Sequence, residues 1–168
     1  MTDLTSGAST LRTRRCGRIV TAGGRLQAVY GRWWPHLGNL LQVLWDMHAP
    51  TGRRDCCELF YHQPLNSRGF LSISYVHAGP ETSLSTLYVA GLVLDEIARL
   101  RGSLAIVSNI TNDRISDRSL MRWGWSAHCA NLPGRHFIKR FYGQYPAPPA
   151  SWRARMGLDA LHPENTAE

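Results

Sequence analysis

The sequence contains only one lysine, Lys139, although Lys and Arg together number 19. A coding preference for arginine explains this bias more simply than selection for nucleic-acid contacts does. The net charge of +7 therefore does not by itself indicate an RNA- or DNA-binding protein. It does predict attraction to an anionic ligand, and we expect a small phosphorylated molecule ahead of a nucleic acid.

Long apolar runs are also missing: none approaches the ~20 residues that a membrane-spanning helix needs. The first residues lack the apolar stretch of a secretory signal, so we expect a cytoplasmic protein with reduced thiols. Spacings typical of metal ligands, such as Cys-x-x-Cys or His-x-x-x-His, do not occur. No metal site is expected, and the four cysteines are interpreted as small buried or half-buried residues.

With 168 residues and 43% hydrophobic residues, the chain is long and apolar enough for one domain with its own core. Residues 1–15 are polar and basic, which predicts a disordered tail. The folded domain is expected over residues 16–145. Residues 146–168, which are rich in Pro, Ala and polar side chains, predict a C-terminal tail with a short helix.

The first half of the domain predicts one strand followed by a long helix. Arg18, Ile19 and Val20 form the strand, which ends at Gly23 and Gly24. Apolar residues then recur at three- and four-residue steps over residues 25–48, which is the pattern of an amphipathic helix. Pro35 is expected to kink or split this helix, because proline has no amide hydrogen and clashes with the preceding turn.

The second half predicts an alternation of strands and helices. Residues 57–62 and 70–76 form a hairpin, a helix runs from Gly79 to Arg101, and residues 103–108 form a buried strand. A further helix is capped by Asn112 or Ser116, and the last strand covers residues 135–142. The fold class is therefore α+β, with a mixed sheet and a right-handed βαβ unit in the C-terminal half.

Two landmarks in this half are more specific than the order of elements. Asn112 follows the apolar strand, and Gly124-Trp125 ends the short helix after it. Over about residues 18–142, this arrangement resembles the GNAT superfamily, whose members transfer an acyl group from acyl-coenzyme A to an amine. The resemblance implies that acetyl-CoA or another acyl-CoA binds between the fourth and fifth strands.

The resemblance also implies which residues contact the cofactor. Backbone groups of the fourth strand would hold the pantetheine arm, and polar side chains beyond it would bind the phosphates and an amide: Tyr75, Val76, His77, Ser83, Ser85 and Asn112. The two serines and Asn112 have a second interpretation as helix caps. The His77 side chain is a candidate general base, because imidazole titrates near neutrality. The alternative is a strand-end histidine bonded to a loop carbonyl.

Two departures from the family pattern favour a non-catalytic module with the same fold. The loop before the long helix lacks the glycines that cradle pyrophosphate and contains Pro80 and Glu81 instead. Leu120 stands where the family often has a tyrosine that protonates the leaving thiolate. A second alternative is an RNA-binding domain, because residues 135–142 mix basic and aromatic side chains.

Overall fold

The computed structural model describes residues 8–32, 55–111, 115–156 and 158. Twelve elements occur within these residues, and we number them in chain order. They are α1 (Ala8–Thr13), β1 (Cys16–Ala22), β2 (Arg25–Arg32), β3 (Cys56–His62), β4 (Phe70–Ala78), α2 (Leu84–Arg101), β5 (Ala105–Asn109), α3 (Asp117–Arg122), β6 (Ser126–Ala127), β7 (His136–Arg140), α4 (Ala150–Arg153) and a 3-10 turn (Ala154–Met156).

The strands in this part of the chain form one mixed sheet of seven, in the order β2-β1-β3-β4-β5-β7-β6. Five of the neighbouring pairs are antiparallel, and only β4 and β5 run parallel. These two strands are joined by α2, so the predicted βαβ unit is present. The predicted mixed sheet is confirmed, and the chain belongs to the α+β class.

The helix predicted from residue 25 is wrong for residues 25–32, which form β2. Gly23 and Gly24 both have positive φ (57° and 67°) and make a two-residue turn that pairs Ala22 with Arg25. Such a turn matches the twist of a hairpin, so it directs the chain back along β1. Val29 then faces the core. The rest of the predicted helix, including the kink at Pro35, lies outside the described residues.

The long helix α2 covers one face of the sheet. Ser83 caps its N-terminus by accepting a hydrogen bond from the Thr86 amide, and Gly102 ends it in the left-handed conformation (φ 64°). The helix begins at Leu84, a few residues after the predicted start at Gly79. Its fully buried side chains, among them Val93 and Ile97, belong to the same core as the inward-facing residues of the sheet.

Both segments predicted to be tails contribute to the core. Leu11 of α1 is fully buried, and the Arg101 guanidinium donates hydrogen bonds to the carbonyls of Leu11 and Arg14. At the other end, Met156 is fully buried and the Trp152 ring packs edge-on against Tyr88. The structure thus differs from the predicted disorder over residues 8–15, because apolar side chains within these polar segments have tertiary partners.

Candidate functional site

The parallel strands β4 and β5 are paired along only part of their length. Their ladder runs from Phe70 opposite Ala105 to Ser72 opposite Val107. Beyond these pairs, β4 continues to Ala78 and β5 to Asn109, and within the described chain no further ladder joins the two strands. An unpaired strand edge presents a row of N–H and C=O groups. The two strands therefore diverge into a gap bordered by backbone donors and acceptors.

A β-bulge in β4 explains why the strands diverge. Phe60 lies opposite Tyr75 but Tyr61 lies opposite Ile73, so Ser74 is an extra residue on β4. A bulge bends its strand and increases the local twist, which turns the end of β4 away from β5. His62 of β3 holds the bulge in place, with its Nδ1 2.7 Å from the Ser74 hydroxyl. Burial lowers the pKa of His62 and favours the neutral form of its ring.

The gap opens into a cavity of about 340 Å³, which we call the cleft cavity. Its lining is mainly apolar and comes from β3, β4, α2, β5, the loop after β5 and the segments that flank α3: Cys57, Leu59, Ile73, Ser74, Tyr75, Val76, Leu87, Gly91, Ser108, Asn109, Ile110, Thr111, Ile115, Trp123 and Trp125. Helix α2 lies beneath the gap. Among the described residues, a Cβ at Gly91 would meet no atom within 4 Å apart from the nearby backbone of its own helix, so the missing side chain contributes to the open space.

The structure brings two of the predicted cofactor residues to this cavity and leaves others elsewhere. Tyr75 and Val76 line it, and each is 38% exposed. His77 is not among the lining residues; it lies opposite Glu58, with its ring centroid 6.4 Å from that of Tyr75. Asn112 lies outside the described residues.

Ser83 binds the carboxylate of Asp55 at the N-terminus of α2, and Ser85 contacts Ser83. The Ser83 amide donates to Oδ1 of Asp55 (2.8 Å), and the Ser83 hydroxyl donates to Oδ2 (2.9 Å). The Ser85 hydroxyl lies 2.8 Å from that of Ser83. Ser83 is thus the N-cap of α2, and Ser85 lies inside the first turn of the helix. A helix N-terminus is a natural anion site, and here Asp55 supplies the anion.

The environment of Asp55 favours its ionised form. Burial alone would raise the pKa of this carboxyl, but hydrogen bonds from Ser83 and Thr86 outweigh burial and hold the pKa below its ordinary value. A ligand phosphate at this helix end would have to displace or face a negative charge. The phosphate site that the serines were predicted to form is therefore occupied by the protein itself.

We expect Asp55→Ala to lower the free energy of unfolding by about 1 kcal/mol at pH 7, since it removes hydrogen bonds to the helix terminus. The pKa of Asp55 is lower in the folded state than in the unfolded state. This stabilisation is therefore present at pH values above the pKa of Asp55 in the unfolded chain, and it is lost as the pH falls through the pKa of Asp55 in the folded protein. Urea denaturation at pH 7 and pH 3 measures the difference. The control Asp55→Asn keeps a hydrogen-bond acceptor at this position, so its difference from the wild type measures the effect of the charge alone. If Asp55→Ala lowered the free energy of unfolding equally at both pH values, the assignment of an ionised Asp55 as the anion at this helix end would be contradicted.

The sequence pattern assigned no site role to Gly91. Gly91 lies within an amphipathic helical pattern, where a glycine is a sign of a packing or functional requirement. Trp125 is held at the cavity by the end of α3. The Gly124 amide donates to the Met121 carbonyl, and the Trp125 amide donates to the Leu120 carbonyl. This Schellman motif requires the positive φ of Gly124 (85°).

Lys139, the only lysine of the sequence, forms a buried ion pair with Asp95 of α2. Lys139 Nζ lies 2.5 Å from Asp95 Oδ2, and each side chain is only 10% exposed. Burial raises the pKa of Asp95 to about 6, against the attraction of Lys139. Strand β7 lies between β5 and β6, and its Phe137 is buried, as is Phe141 just beyond it. Phe137 and Phe141 are therefore not available to stack on bases, whereas Arg140 and, two residues further on, Tyr142 are exposed.

Comparisons with protein-family models, curated proteins and solved structures find no significant match to this chain. Residues 8–32 and 55–158, apart from the gaps already given, contain no cluster of His, Cys, Asp or Glu suited to a metal ion. The same residues include no helix long and apolar enough to cross a bilayer. The geometry of the cleft cavity is therefore the main basis for a functional assignment.

Proposed function

We propose that this protein is a GNAT-like domain that binds an acyl-CoA thioester in the cleft cavity and transfers the acyl group to an amine. The observation that carries the proposal is the early end of the β4–β5 ladder. Two parallel strands in one sheet normally stay paired. Where they diverge, their free backbone groups can bind an extended chain that bears amides, such as the pantetheine arm.

The order of elements supports the same fold. Four strands precede α2, where the sequence pattern predicted three. The family's Gly-aromatic landmark corresponds to Gly124-Trp125, and Trp125 lines the cleft cavity. One feature differs from the family order: the turn at Gly23 and Gly24 leaves no room for a helix between the first two strands.

The binding mode follows from the lining of the cavity. The arm of the ligand lies along the free edge of β4, where Tyr75 and Val76 offer backbone groups. Such recognition needs no particular side chain. The apolar walls exclude water from the thioester, and a strand amide aimed at its carbonyl oxygen would stabilise the negative charge that develops there.

The reaction is a direct transfer. The neutral amine attacks the thioester carbon, the C–N bond forms and the C–S bond breaks. The leaving thiolate takes up a proton, and the surplus proton of the amine passes to solvent. Because Asp55 occupies the N-terminus of α2, recognition in this proposal depends on the arm and the acyl group rather than on a phosphate cradle at that helix.

Thermal unfolding with acyl-CoA tests the proposal. A ligand at 100 times its Kd should stabilise the wild type by about 2.7 kcal/mol. We expect Gly91→Phe, which places a ring in the cleft cavity, to weaken binding by about 100-fold. Gly91→Ala is the matched control: it should bind acetyl-CoA as the wild type does and be about 1 kcal/mol more stable, because alanine favours the helix. No shift of the wild type at millimolar acetyl-CoA and octanoyl-CoA would end the proposal.

A second candidate function is a non-catalytic module that binds the same class of ligand. It is favoured by one observation: among the described residues that line the cleft cavity, none carries a carboxylate or an imidazole. An assay of free thiol release with a panel of amines separates the two functions. Binding of acyl-CoA without thiol release above the uncatalysed rate supports the module, whereas release that Gly91→Phe abolishes supports the transferase.

A further inference from the structure

We infer that the acyl group bound in the cleft cavity is an unbranched chain of roughly six to eight carbons, lying over Gly91, rather than an acetyl group. This inference rests on the proposed function and specifies its donor substrate. It follows from the volume of the cavity, the position of the missing side chain and the lack of ionised groups among the described residues of the wall.

The volume is larger than an acetyl thioester requires. An apolar protein cavity of about 150 Å³ is enough to bind benzene, with its six carbons. The cleft cavity measures about 340 Å³, which by that comparison holds roughly a dozen ligand atoms. The thioester and the end of the arm occupy roughly four or five of them, so space remains for roughly six to eight carbons.

The extra space lies toward α2. Leu87 and Gly91 are one helical turn apart on the surface that this helix presents to the gap, and both line the cavity. Leu87 offers apolar contact, while no described atom beyond the nearby backbone of α2 lies within 4 Å of the site of a Gly91 side chain. A chain that enters between the strands is therefore directed over Gly91, where the helix presents only backbone.

The remaining walls suit a neutral hydrocarbon. Ile115, Trp123 and Trp125 complete the apolar lining on the other side of the gap. Burial raises the pKa of the Cys57 thiol to about 12, so this group is uncharged at neutral pH. A charged acyl group, such as a dicarboxylic one, would lose its hydration here without a described partner of opposite charge in the wall.

The test is the affinity of acyl-CoAs from acetyl to decanoyl, measured by calorimetry below their micelle concentrations. Each added methylene should lower the Kd by about fourfold, the equivalent of about 0.8 kcal/mol, up to roughly eight carbons. Affinity should then level off. Gly91→Leu should move this plateau to shorter chains by roughly four carbons, the size of the added side chain. Gly91→Ala should move the plateau by about one carbon.

A neutral probe without a nucleotide, N-octylacetamide, separates this inference from the proposed function. Acetyl-CoA binding as tightly as octanoyl-CoA, or an unchanged plateau in Gly91→Leu, would overturn the inference and leave the transferase proposal standing. A third outcome is that no CoA thioester binds, while the probe binds the wild type and not Gly91→Phe. The site for an alkyl chain over Gly91 would then stand, and the transferase proposal would fail. If neither class of ligand binds, both are wrong.

Discussion

Replacing Lys139 with methionine should lower the free energy of unfolding by about 3–5 kcal/mol at pH 7. Lys139 is the described partner of the Asp95 carboxylate, which is 2.5 Å from its ammonium group in a site where both side chains are 10% exposed. The variant leaves Asp95 buried without this opposite charge. The loss of an ion-pair partner in such a site is among the most destabilising single changes known in proteins.

The loss should depend on pH. Burial already raises the folded-state pKa of Asp95 to about 6, above its unfolded value. The contribution of Asp95 to stability is therefore complete at pH values below the pKa of Asp95 in the unfolded chain. It is lost as the pH rises through the pKa of Asp95 in the folded protein. Removing the Lys139 charge raises the folded pKa further. The deficit of Lys139→Met should thus be largest at pH 7 and become smaller toward pH 4, where the carboxyl is neutral.

Guanidinium denaturation of the wild type and Lys139→Met between pH 4 and pH 8 measures this deficit. The control is the double variant Asp95→Leu/Lys139→Met, which removes both charges and should lie within about 1 kcal/mol of the wild type, or above it. A deficit that does not change between pH 4 and pH 8, or a double variant as unstable as the single one, would show that the pair is not held as described.

The second large effect is expected at Gly17, where β1 is in close contact with a buried ring. A Cβ at this position would lie 2.5 Å from the Tyr61 hydroxyl oxygen and 2.6 Å from Cζ. The Tyr61 ring is only 2% exposed, and Gly17 is paired on both sides, with Gly31 and with Tyr61 itself. Neither the ring nor the strand has room to move, so Gly17→Ala should cost about 2–3 kcal/mol.

Urea denaturation at one pH compares Gly17→Ala with a matched control, Gly79→Ala. At Gly79 the nearest atom to an added Cβ is 3.9 Å away, an ordinary contact distance. The control corrects for the reduced entropy of the unfolded chain that any Gly→Ala change brings. Wild-type stability of Gly17→Ala would contradict the close packing of β1 on Tyr61.

Local sequence signals were sufficient for much of the C-terminal half. The apolar repeat and Gly102 defined most of α2, the two apolar runs flanking residues 63–69 predicted the β3–β4 hairpin, and the short apolar stretch at 103–108 predicted β5. In each case the residues that determine the element are close together in the chain. Periodicity and capping chemistry act over a few residues, so they can be recognised directly in the sequence.

The same kind of reasoning was wrong where two structures fit one pattern. Leu26, Val29 and Tyr30 match a helical repeat, but in β2 only Val29 is buried, and Tyr30 stays exposed on the opposite face. The choice was made by the Gly23-Gly24 turn and by pairing with β1. Pairing between strands buries backbone groups and side chains that no local window contains.

The candidate site shows the division between sequence and tertiary structure most clearly. The order of residues alone was enough to predict a strand, a long helix and a second buried strand in succession, and a Gly-Trp pair at the end of the next helix. It was not enough to predict the bulge of Ser74 opposite β3, the binding of Asp55 at the end of a helix 28 residues further along the chain, or the cavity beside Gly91. These features depend on contacts between distant residues, and their energies become defined only when the sheet and α2 are packed together.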